Sequence, residues 1–311
     1  MNKTDKIYVA GHNGLVGSEI VKKLKKEGYE NIITCNREYL DLTDQRSVKI
    51  FFNGHRPDYV FLAAAKVGGI VSNSTYPADF TYQNLMVECN VINACHEYDV
   101  KKLLFLGSSC IYPRDCPQPI KEEYLLSGPL EKTNDGYAIA KIAGIIMCQK
   151  YNKQYGTNFI SLMPTNLYGS ISDNYDPKNS HVLPGMIRKF HDAKMNNVPT
   201  LELWGTGSPF REFLHVSDLA DASLFLMNNY DSGEIINIGS GTEITIKDLA
   251  LMIKEIVGYE GEIYFNDSYP DGTPRKFLDT TKLRNLGWKP TIELYDGIKS
   301  TYEDLLRIKK F

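Results

Sequence analysis

Short apolar segments alternate with amphipathic segments through the first half of this 311-residue chain. The apolar segments are continuously apolar, as expected of strands that are buried on both faces of a parallel sheet. The segments between them have helical spacing, and Val16, Ile20 and Leu24 fall on one side of the first. This alternation predicts an α/β fold with a doubly wound parallel sheet and right-handed crossovers. The predicted strands are 6–10, 31–35, 59–65, 102–107 and 158–163, and the predicted helices are 15–27, 77–98 and 137–155.

Three glycines lie at the first predicted strand–helix junction, in the pattern G-x-x-G-x-x-G. Glycines let a backbone turn tightly and approach a pyrophosphate, and the helix N-terminus offers free N–H groups and a positive dipole end. A bare glycine triplet is often only a turn, but this position favours a dinucleotide-binding loop. We assign the whole loop to the cofactor: Gly11, His12, Asn13, Gly14, Leu15, Val16 and Gly17.

The residues after the second predicted strand indicate which dinucleotide binds. Sites that prefer NAD often carry Asp or Glu there, to bond the ribose 2′-hydroxyl. This chain has Asn36 and Arg37 instead. A guanidinium suits a 2′-phosphate, although an ordinary surface arginine would look the same. The pattern therefore favours NADP over NAD.

The rhythm of the chain changes after about residue 165. Loops rich in Asn, Ser, Pro and Gly appear at 170–180 and 205–209. We predict an NADP-binding Rossmann domain over 1–165, to which about 211–240 return, and a smaller, mainly substrate-binding lobe over 166–311. The later predicted elements are helices 216–228, 246–257 and 293–307 and a strand at 235–238.

Charge, hydropathy and cysteine spacing argue against several classes of protein. The chain has 35 Lys+Arg and 38 Asp+Glu, so it has no basic field for nucleic acid. The most apolar stretch, 59–71, contains Lys66 and two glycines and is too short for a bilayer, and the first residues do not resemble a signal peptide. None of the six cysteines forms a C-x-x-C pair. We therefore expect no metal site, no membrane partner and a reduced, cytoplasmic protein.

Tyr137 and Lys141 are four residues apart on a predicted helix, so their side chains share a face. A free tyrosine has a pKa of about 10 and is a poor acid–base group at neutral pH. The nearby ammonium is expected to lower the pKa of Tyr137 towards a useful range. The alternative is a surface pair without a catalytic role.

Ser108 follows the fourth predicted strand, in the segment 107–112 (GSSCIY). Open α/β sheets bind ligands along the edge where parallel strands end. A serine hydroxyl there can donate a hydrogen bond to a substrate carbonyl, although the segment would also serve as a turn of small residues.

Together and in this order, the glycine loop, Ser108 and the Tyr137–Lys141 pair resemble the extended short-chain dehydrogenase/reductase family over essentially the whole chain. The resemblance implies that Ser108 and Tyr137 hold and protonate a sugar ketone, and that Lys141 contacts the nicotinamide ribose. It also implies the remaining cofactor contacts: Asn36, Arg37, Asp41, Leu42, Ala63, Ala64, Ala65, Leu106, Gly107, Tyr137, Pro164, Thr165, Asn166, Leu167 and His181.

Longer segments resemble the GDP-L-fucose synthase family, whose members epimerise C3 and C5 of GDP-4-keto-6-deoxymannose and then reduce C4 with NADPH. The matching segments are 107–113, 137–144, 164–169, 179–182, 211–216 and 271–276. The resemblance implies a GDP-linked 4-keto sugar as substrate. It also implies a homodimer, in which the helices that start near 77 and 137 pair with their symmetry mates.

The same resemblance makes Cys110 the epimerising base and His181 the acid. Protons on C3 and C5 lie beside the C4 ketone, so their removal gives an enolate whose oxygen Tyr137 and Ser108 can hydrogen-bond. From the residues alone, Cys110 would be a small buried hydrophobe and His181 a helix-start residue. The implied substrate contacts are Ser108, Ser109, Cys110, Asn166, Lys189, Trp204, Arg211, Asp271 and Lys276.

The chain departs from this family at two positions. Asn13 stands where arginine is common in the glycine loop, which leaves Arg37 as the candidate for the 2′-phosphate. Lys189 also stands where arginine is common, and lysine does not form the same paired bonds with phosphate.

Four other functions compete with this one: the C4-only reductase is the nearest rival, and the residues argue against the other three. A C4-only reductase of a related GDP-4-keto-6-deoxyhexose or heptose would carry the same residues. A 4,6-dehydratase typically has an Asp-Glu pair where this chain has Ser109 and Cys110, and a 4-epimerase usually has an acidic residue after the second strand. A non-catalytic nucleotide sensor would tend to lose Tyr137 or Lys141, and both are present.

Overall fold

The structure is a computed structural model that describes the whole chain except residues 170, 171, 174, 177–179 and 270. Residue 179 of the segment 179–182 therefore lies outside the described residues. The helices are α1 Leu15–Lys26, α2 Gln45–His55, α3 Ile70–Thr75, α4 Pro77–Glu97, α5 Asp135–Tyr155, α6 Val182–Met195, α7 Val216–Asn229, α8 Ile246–Val257, α9 Thr281–Asn285 and α10 Leu294–Arg307. The strands are β1 Lys6–Ala10, β2 Asn31–Ile33, β3 Tyr59–Leu62, β4 Lys102–Leu106, β5 Phe159–Pro164, β6 Asn166–Tyr168, β7 Thr200–Trp204, β8 Phe210–His215, β9 Ile236–Ile238, β10 Glu243–Thr245, β11 Glu262–Asn266 and β12 Arg275–Lys276.

The main sheet of the described residues is parallel, with strand order β2-β1-β3-β4-β5-β9. Its central strands are buried on both faces: Val60, Leu104 and Ile160 are each inaccessible to solvent. Helices α1 and α7 pack together on one face, and α2, α4 and α5 pack on the other. The predicted doubly wound α/β fold is confirmed.

Several predicted strands are too long at their carboxyl ends. The second ends at Ile33, the third at Leu62 and the fourth at Leu106. The residues that follow are small or polar and leave the sheet as loops, because the carboxyl edge is where the chain turns towards the next helix. Small apolar residues such as Ala63 and Ala64 continue past the end of the third strand, so apolar composition does not mark where pairing stops.

The remaining strands form two small sheets in the described part of the chain. One has the order β10-β8-β12, with β6 also paired to β8, and the other pairs β11 with β7. Helices α6, α8 and α10 pack beside them around Phe190, Leu249 and Ile298, all fully buried. No described helix has the length and hydropathy that crossing a membrane requires.

Gly17 makes the closest approach in the first strand–helix turn, since a Cβ on it would overlap the carbonyl oxygen of Gly11. We expect Gly17→Ala to lower stability by about 1–3 kcal/mol, because the neighbour is backbone and cannot move alone. Gly54 is the control: it lies in α2 with nothing within 4 Å of the added Cβ. Gly54→Ala should be neutral or stabilising by up to about 1 kcal/mol. Urea unfolding of the two variants measures both, and equal stabilities would contradict the overlap.

Candidate active site

The glycine turn has the geometry that a dinucleotide requires. Gly11 has φ +85°, and a Cβ on it would lie 2.7 Å from the backbone of Ala64. Gly14 is the N-cap of α1 and makes no side-chain capping bond, so the first-turn N–H groups face outward without a cap. A pyrophosphate fits here, because the space beside Gly11 holds no side chain and the neighbouring helix N-terminus has no side-chain cap. The residues present therefore fit the dinucleotide.

The loop after β2 lies beside this turn. Asn13 Nδ2 donates to Asn36 Oδ1 at 2.9 Å, and Arg37 is exposed. Asp41 accepts hydrogen bonds from the backbone N and hydroxyl of Thr43 at 2.9 and 2.8 Å. These bonds, with a smaller effect from the charge of Arg37, lower the pKa of the Asp41 carboxyl. The guanidinium of Arg37 is thus the exposed cation of this loop.

The other predicted cofactor contacts line the same carboxyl edge of the main sheet. Those after β3 and β4 are Ala63–Ala65 and Leu106–Gly107, and a Cβ on Gly107 would overlap the sulfur of Met163. Thr165 Oγ1 and Asn166 Nδ2 both donate to the Glu212 carbonyl, at 3.2 and 2.9 Å, and so fix the turn after β5. Leu42 accepts from Asn90 of α4 at 2.9 Å. Pro164 is the last residue of β5, and Leu167 lies in β6. His12 lies in the turn between β1 and α1, and Leu15 and Val16 are the first residues of α1.

Ser108 and Tyr137 come together at the end of β4. Ser108 Oγ accepts from the backbone N of Cys110 at 3.1 Å and opens the short 3₁₀ turn Ser109–Ile111. Burial raises the pKa of the Tyr137 phenol, and the charges of Cys110 and Glu88 raise it further, while a hydrogen bond with Ser108 lowers it. The raised pKa keeps the phenol protonated, as a proton donor.

The expected lowering of the Tyr137 pKa by Lys141 is wrong. The Lys141 Nζ lies 5.9 Å from the centre of the Tyr137 ring, but 3.0 Å from Oε1 of Glu88. The carboxylate of Glu88 offsets the ammonium, so burial decides the direction of the shift. The i, i+4 spacing predicts that Tyr137 and Lys141 share a face of α5, but it does not predict that Glu88 of α4 lies beside Lys141.

Cys110 has a cation beside its thiol. Nζ of Lys276 lies 3.4 Å from Sγ, although the two residues are 166 positions apart. Burial alone would raise the pKa of Cys110, but the charge of Lys276 and hydrogen bonds from Ser108, Lys276 and Asn134 lower it below its usual value. The sequence assigned Lys276 to the substrate only, and nothing in the sequence pattern links it to Cys110.

We expect Lys276→Met to raise the pKa of the Cys110 thiol. The rate of Cys110 alkylation by iodoacetamide, followed by peptide mass spectrometry, should then rise at a pH about one unit higher than in the wild type, because an opposite charge within 4–6 Å shifts a pKa by about 1–3 units. Arg275→Gln is the control, since Arg275 is exposed and paired with Glu243 at 2.8 Å. An unchanged profile in Lys276→Met would contradict the assigned cause.

His181 is the N-cap of α6, and its side chain makes no capping bond. Loss of water around the ring lowers the pKa of His181, and the charge of Lys276 lowers it further. His181 and Cys110 therefore both lie within the electrostatic reach of Lys276. Near neutral pH His181 is therefore mainly the neutral imidazole, and it would have to take up a proton before it could act as an acid.

Four of the predicted substrate contacts, Lys189, Trp204, Arg211 and Asp271, form two pairs. The Lys189 Nζ lies 4.8 Å from the centre of the Trp204 ring, whose other neighbour, Tyr269, stacks on it at 4.6 Å and 14°. Burial lowers the pKa of Arg211, and the charge of Asp271 opposes that shift. Asp271 itself accepts from the backbone N of Thr206 at 3.0 Å, and so shapes the loop after β7. Tyr269 was not predicted, because an aromatic residue in a loop carries no spacing signal.

Comparison with known proteins agrees with this geometry. The model of the NAD dependent epimerase/dehydratase family matches residues 7–239. A putative GDP-L-fucose synthase 2 of Arabidopsis thaliana is 57% identical over 97% of this chain and 92% of its own length. The GDP-L-fucose synthase of Escherichia coli is 52% identical over 96% of this chain and 95% of its own length.

A solved structure of similar shape is the GDP-mannoheptose C4 reductase of Campylobacter jejuni with NADP bound. It is 44% identical, has a TM-score of 0.89, and covers 97% of this chain and 98% of its own. High identity over nearly the full length, together with the glycine turn and the Ser108–Tyr137–Lys141 arrangement, settles the family. The chain therefore belongs to the NAD dependent epimerase/dehydratase family and, within it, to the GDP-L-fucose synthase family.

Proposed function

We propose that the protein converts GDP-4-keto-6-deoxymannose to GDP-L-fucose, by epimerisation at C3 and C5 and reduction at C4, with NADPH as the reductant. Relatives named GDP-L-fucose synthase are 52–57% identical over nearly the whole chain. The observation that carries the epimerase half is the Cys110 thiol, held 3.4 Å from the ammonium of Lys276 at the edge where Tyr137 also lies.

Residues of the glycine turn and of the loops after β2, β3, β4 and β5 would hold NADP(H), with Lys141 on the nicotinamide ribose. Bound there, NADPH supplies the hydride for C4. Arg37 would contact the 2′-phosphate, since it is the exposed cation beside Asn13 and Asn36. A guanidinium matches phosphate oxygens with charge-assisted bonds.

In the proposed epimerisation, the Cys110 thiolate removes the protons on C3 and C5. A ketone at C4 makes both protons acidic, and the negative charge develops on its oxygen. Tyr137 and Ser108 would donate hydrogen bonds to that oxygen, where they stabilise the enolate more than the ketone. His181 would return a proton from the opposite face, which inverts each centre.

In the proposed reduction, Tyr137 gives its proton to O4. Its raised pKa keeps that proton available at neutral pH. Ser108, whose hydrogen bond lowers the pKa of Tyr137, would hold both the phenol and the sugar oxygen in line.

The diphosphate and guanosine would lie towards the small sheets. Lys189 and Arg211 supply positive charge for the diphosphate. Trp204 is 48% exposed and offers an aromatic face to the base or sugar. Ser109, Asn166 and Asp271 complete the proposed contacts. We also propose that residues 1–165 hold the cofactor and 166–311 mainly the sugar nucleotide.

The likeness to a GDP-mannoheptose C4 reductase favours a second candidate, a reductase that does not epimerise. One product analysis separates the two. The protein is incubated with GDP-4-keto-6-deoxymannose and NADPH in D2O, and the sugar is examined by NMR. Reduced product deuterated at C3 and C5 supports the epimerase–reductase. Reduction without deuterium would contradict the role of Cys110 and His181 and leave the C4 reductase, and no NADPH consumption would contradict this substrate.

We propose a cytoplasmic homodimer that pairs through α4 and α5. These helices pack along each other, and their outer faces expose apolar side chains: Tyr82 is 62% exposed, Ile139 50% and Tyr155 50%. All six cysteines are free thiols, as suits a reducing compartment. Light scattering after size exclusion should give about twice the chain mass of 35.2 kDa, and a monomer would contradict the pairing.

A further inference from the structure

A fully buried ion pair joins α4 to α5 next to the proposed proton donor. Glu88 is 1% exposed and Lys141 is 2% exposed, and Oε1 of the carboxylate lies 3.0 Å from Nζ. Glu88 was not among the residues that the sequence pointed to. It stands in the middle of a long helix and belongs to no catalytic spacing pattern.

The Glu88 carboxylate and the Phe105 ring of β4 both lie close to Gly144 of α5. Gly144 lies one turn after Lys141, and a Cβ there would lie 2.9 Å from Oε2 of Glu88 and 2.5 Å from the Phe105 ring. The same ring lies 4.7 Å from Nζ of Lys141. The ammonium is therefore bounded by an aromatic face, a carboxylate and the ring of Tyr137.

Stability alone does not account for this pair. A buried ion pair loses so much hydration that apolar residues of similar volume often stabilise a protein as well or better. Here the penalty is increased, because neither carboxylate oxygen of Glu88 has a hydrogen bond of good geometry among the described residues, and only Oε1 lies at ion-pair distance from Lys141. Burial raises the pKa of Glu88, and the positive charge of Lys141 opposes the shift.

We propose that Glu88 is a positioning residue for the reduction: its carboxylate balances the ammonium of Lys141, so that Lys141 can be charged for the cofactor ribose while Tyr137 keeps the proton that O4 must receive. This inference rests on the proposed function of the Tyr137–Lys141 pair. In this role Glu88 acts through Lys141 on the protonation of Tyr137, and it does not contact the substrate.

Electrostatics supports this role. An ammonium alone near a phenol favours the phenolate, which cannot donate a proton. Burial is the largest cause of the raised pKa of Tyr137 and the charge of Cys110 comes next; the negative charge of Glu88 adds to both, in the direction opposite to that of an ammonium.

The other titratable groups near the pair and Tyr137 cannot replace Glu88. They are thiols: the charge of Glu88 acts on Cys148 from α5 and on Cys89 from α4, and Cys110 from the turn after β4 acts on Tyr137. Burial raises the pKa of Cys148 to about 12 and also raises that of Cys89, so neither carries negative charge near neutral pH. Cys110 has a lowered pKa, but its ammonium partner is Lys276.

The test compares Glu88→Gln with two controls, Glu88→Asp and Glu97→Gln. In place of Glu88, Gln keeps the volume and removes the charge, whereas Asp keeps the charge. Glu97→Gln makes the same change on the same helix, in the exposed pair with Lys49 at 2.9 Å. For each protein, kcat and KM for reduction are measured from pH 6 to 10, NADPH binding is measured by fluorescence, and unfolding by heat.

We expect Glu88→Gln to bind NADPH at neutral pH and to keep the KM for the sugar. The alkaline limb of kcat, the pH above which kcat falls, should lie about one unit lower than in the wild type, because without the charge of Glu88 the ammonium of Lys141 is uncompensated and favours the phenolate of Tyr137. Above that limb, one unit corresponds to about a tenfold loss of kcat. Glu88→Asp and Glu97→Gln should keep the wild-type limb.

A wild-type limb in folded Glu88→Gln would overturn the proposal, and so would an equal shift in Glu88→Asp. If Glu88→Gln does not fold, the double variant Glu88→Gln/Lys141→Met decides. A compensating pair predicts that removing both charges restores the melting temperature, and an unfolded double variant contradicts it. The proposed function is judged separately, because it fails if the wild type makes no GDP-L-fucose. The pH profiles can still be measured with any GDP-4-keto sugar that the wild type reduces.

Discussion

Replacing Cys110 by serine is expected to abolish deuterium incorporation at C3 and C5, by about 10²–10⁴-fold in rate, because general-base catalysis contributes a factor of that size. The wild-type thiol has a lowered pKa beside Lys276, 3.4 Å away, and is ready to ionise. A serine hydroxyl fills nearly the same volume, but the same ammonium cannot ionise it near neutral pH. NMR of the sugar after incubation in D2O with NADPH measures the exchange.

Reduction should survive this change, since Tyr137 and Ser108 remain in place. The expected product of Cys110→Ser is thus a reduced sugar with the configuration of the substrate at C3 and C5. Cys116 is the matched control: Lys276 also acts on this thiol, but burial raises the pKa of Cys116, so it is not ionised. Cys116→Ser should exchange deuterium at the wild-type rate, and wild-type exchange in Cys110→Ser would exclude Cys110 as the base.

The parts of this fold that could be predicted from sequence are those with local signals. Continuous apolar runs predicted the core strands β1 to β5 of the main sheet, and the glycine spacing predicted the turn between β1 and α1. Helices α1, α4, α5, α7, α8 and α10 begin within two residues of their predicted starts. In each case the signal comes from neighbouring residues, in runs of three to six for the strands and 12 to 21 for the helices.

The elements that were missed have weak or interrupted patterns. Helix α6 contains Pro184 and Gly185 near its start, which disguise its helical spacing. Strands β6, β10 and β12 are two or three residues long, too short for alternation to be visible. Helix α2 depends on its N-cap, Asp44, whose carboxylate accepts from two backbone N–H groups, more than on an apolar stripe.

In the candidate site, the residues that stand in motifs were predictable, but their partners from distant segments were not. Lys276 reaches Cys110 from 166 positions away, and Glu88 reaches Lys141 from another helix. Both contacts depend on packing between distant segments, which no local spacing encodes. They also decide the electrostatics: Lys276 lowers the pKa of Cys110, and Glu88 is among the causes that raise the pKa of Tyr137. Motifs therefore pointed to Ser108, Cys110 and Tyr137, whereas the structure was needed to show which charged groups lie beside them and to assign their protonation.

Replacing Tyr137 by phenylalanine is expected to lower kcat for reduction by about 10²–10⁴-fold, because O4 loses its proton donor. Deuterium exchange should slow by about 10²–10³-fold, since the enolate oxygen loses one hydrogen bond. NADPH binding should persist, because Lys141 and the glycine turn are unchanged. Stopped-flow absorbance of NADPH measures the reduction.

The wild-type pH profile tests the same assignment. A donor must be protonated, and burial raises the pKa of Tyr137, so reduction should hold its rate from neutral into mildly alkaline pH and fall only as the phenol ionises. Tyr155→Phe is the control, since this tyrosine is at the exposed end of the same helix, 50% accessible. A Tyr137→Phe enzyme with wild-type kcat would remove Tyr137 as the donor. An enzyme whose rate rises as the phenol ionises would instead make the phenolate the active form, which reverses the charge balance that Glu88 and Lys141 are proposed to maintain.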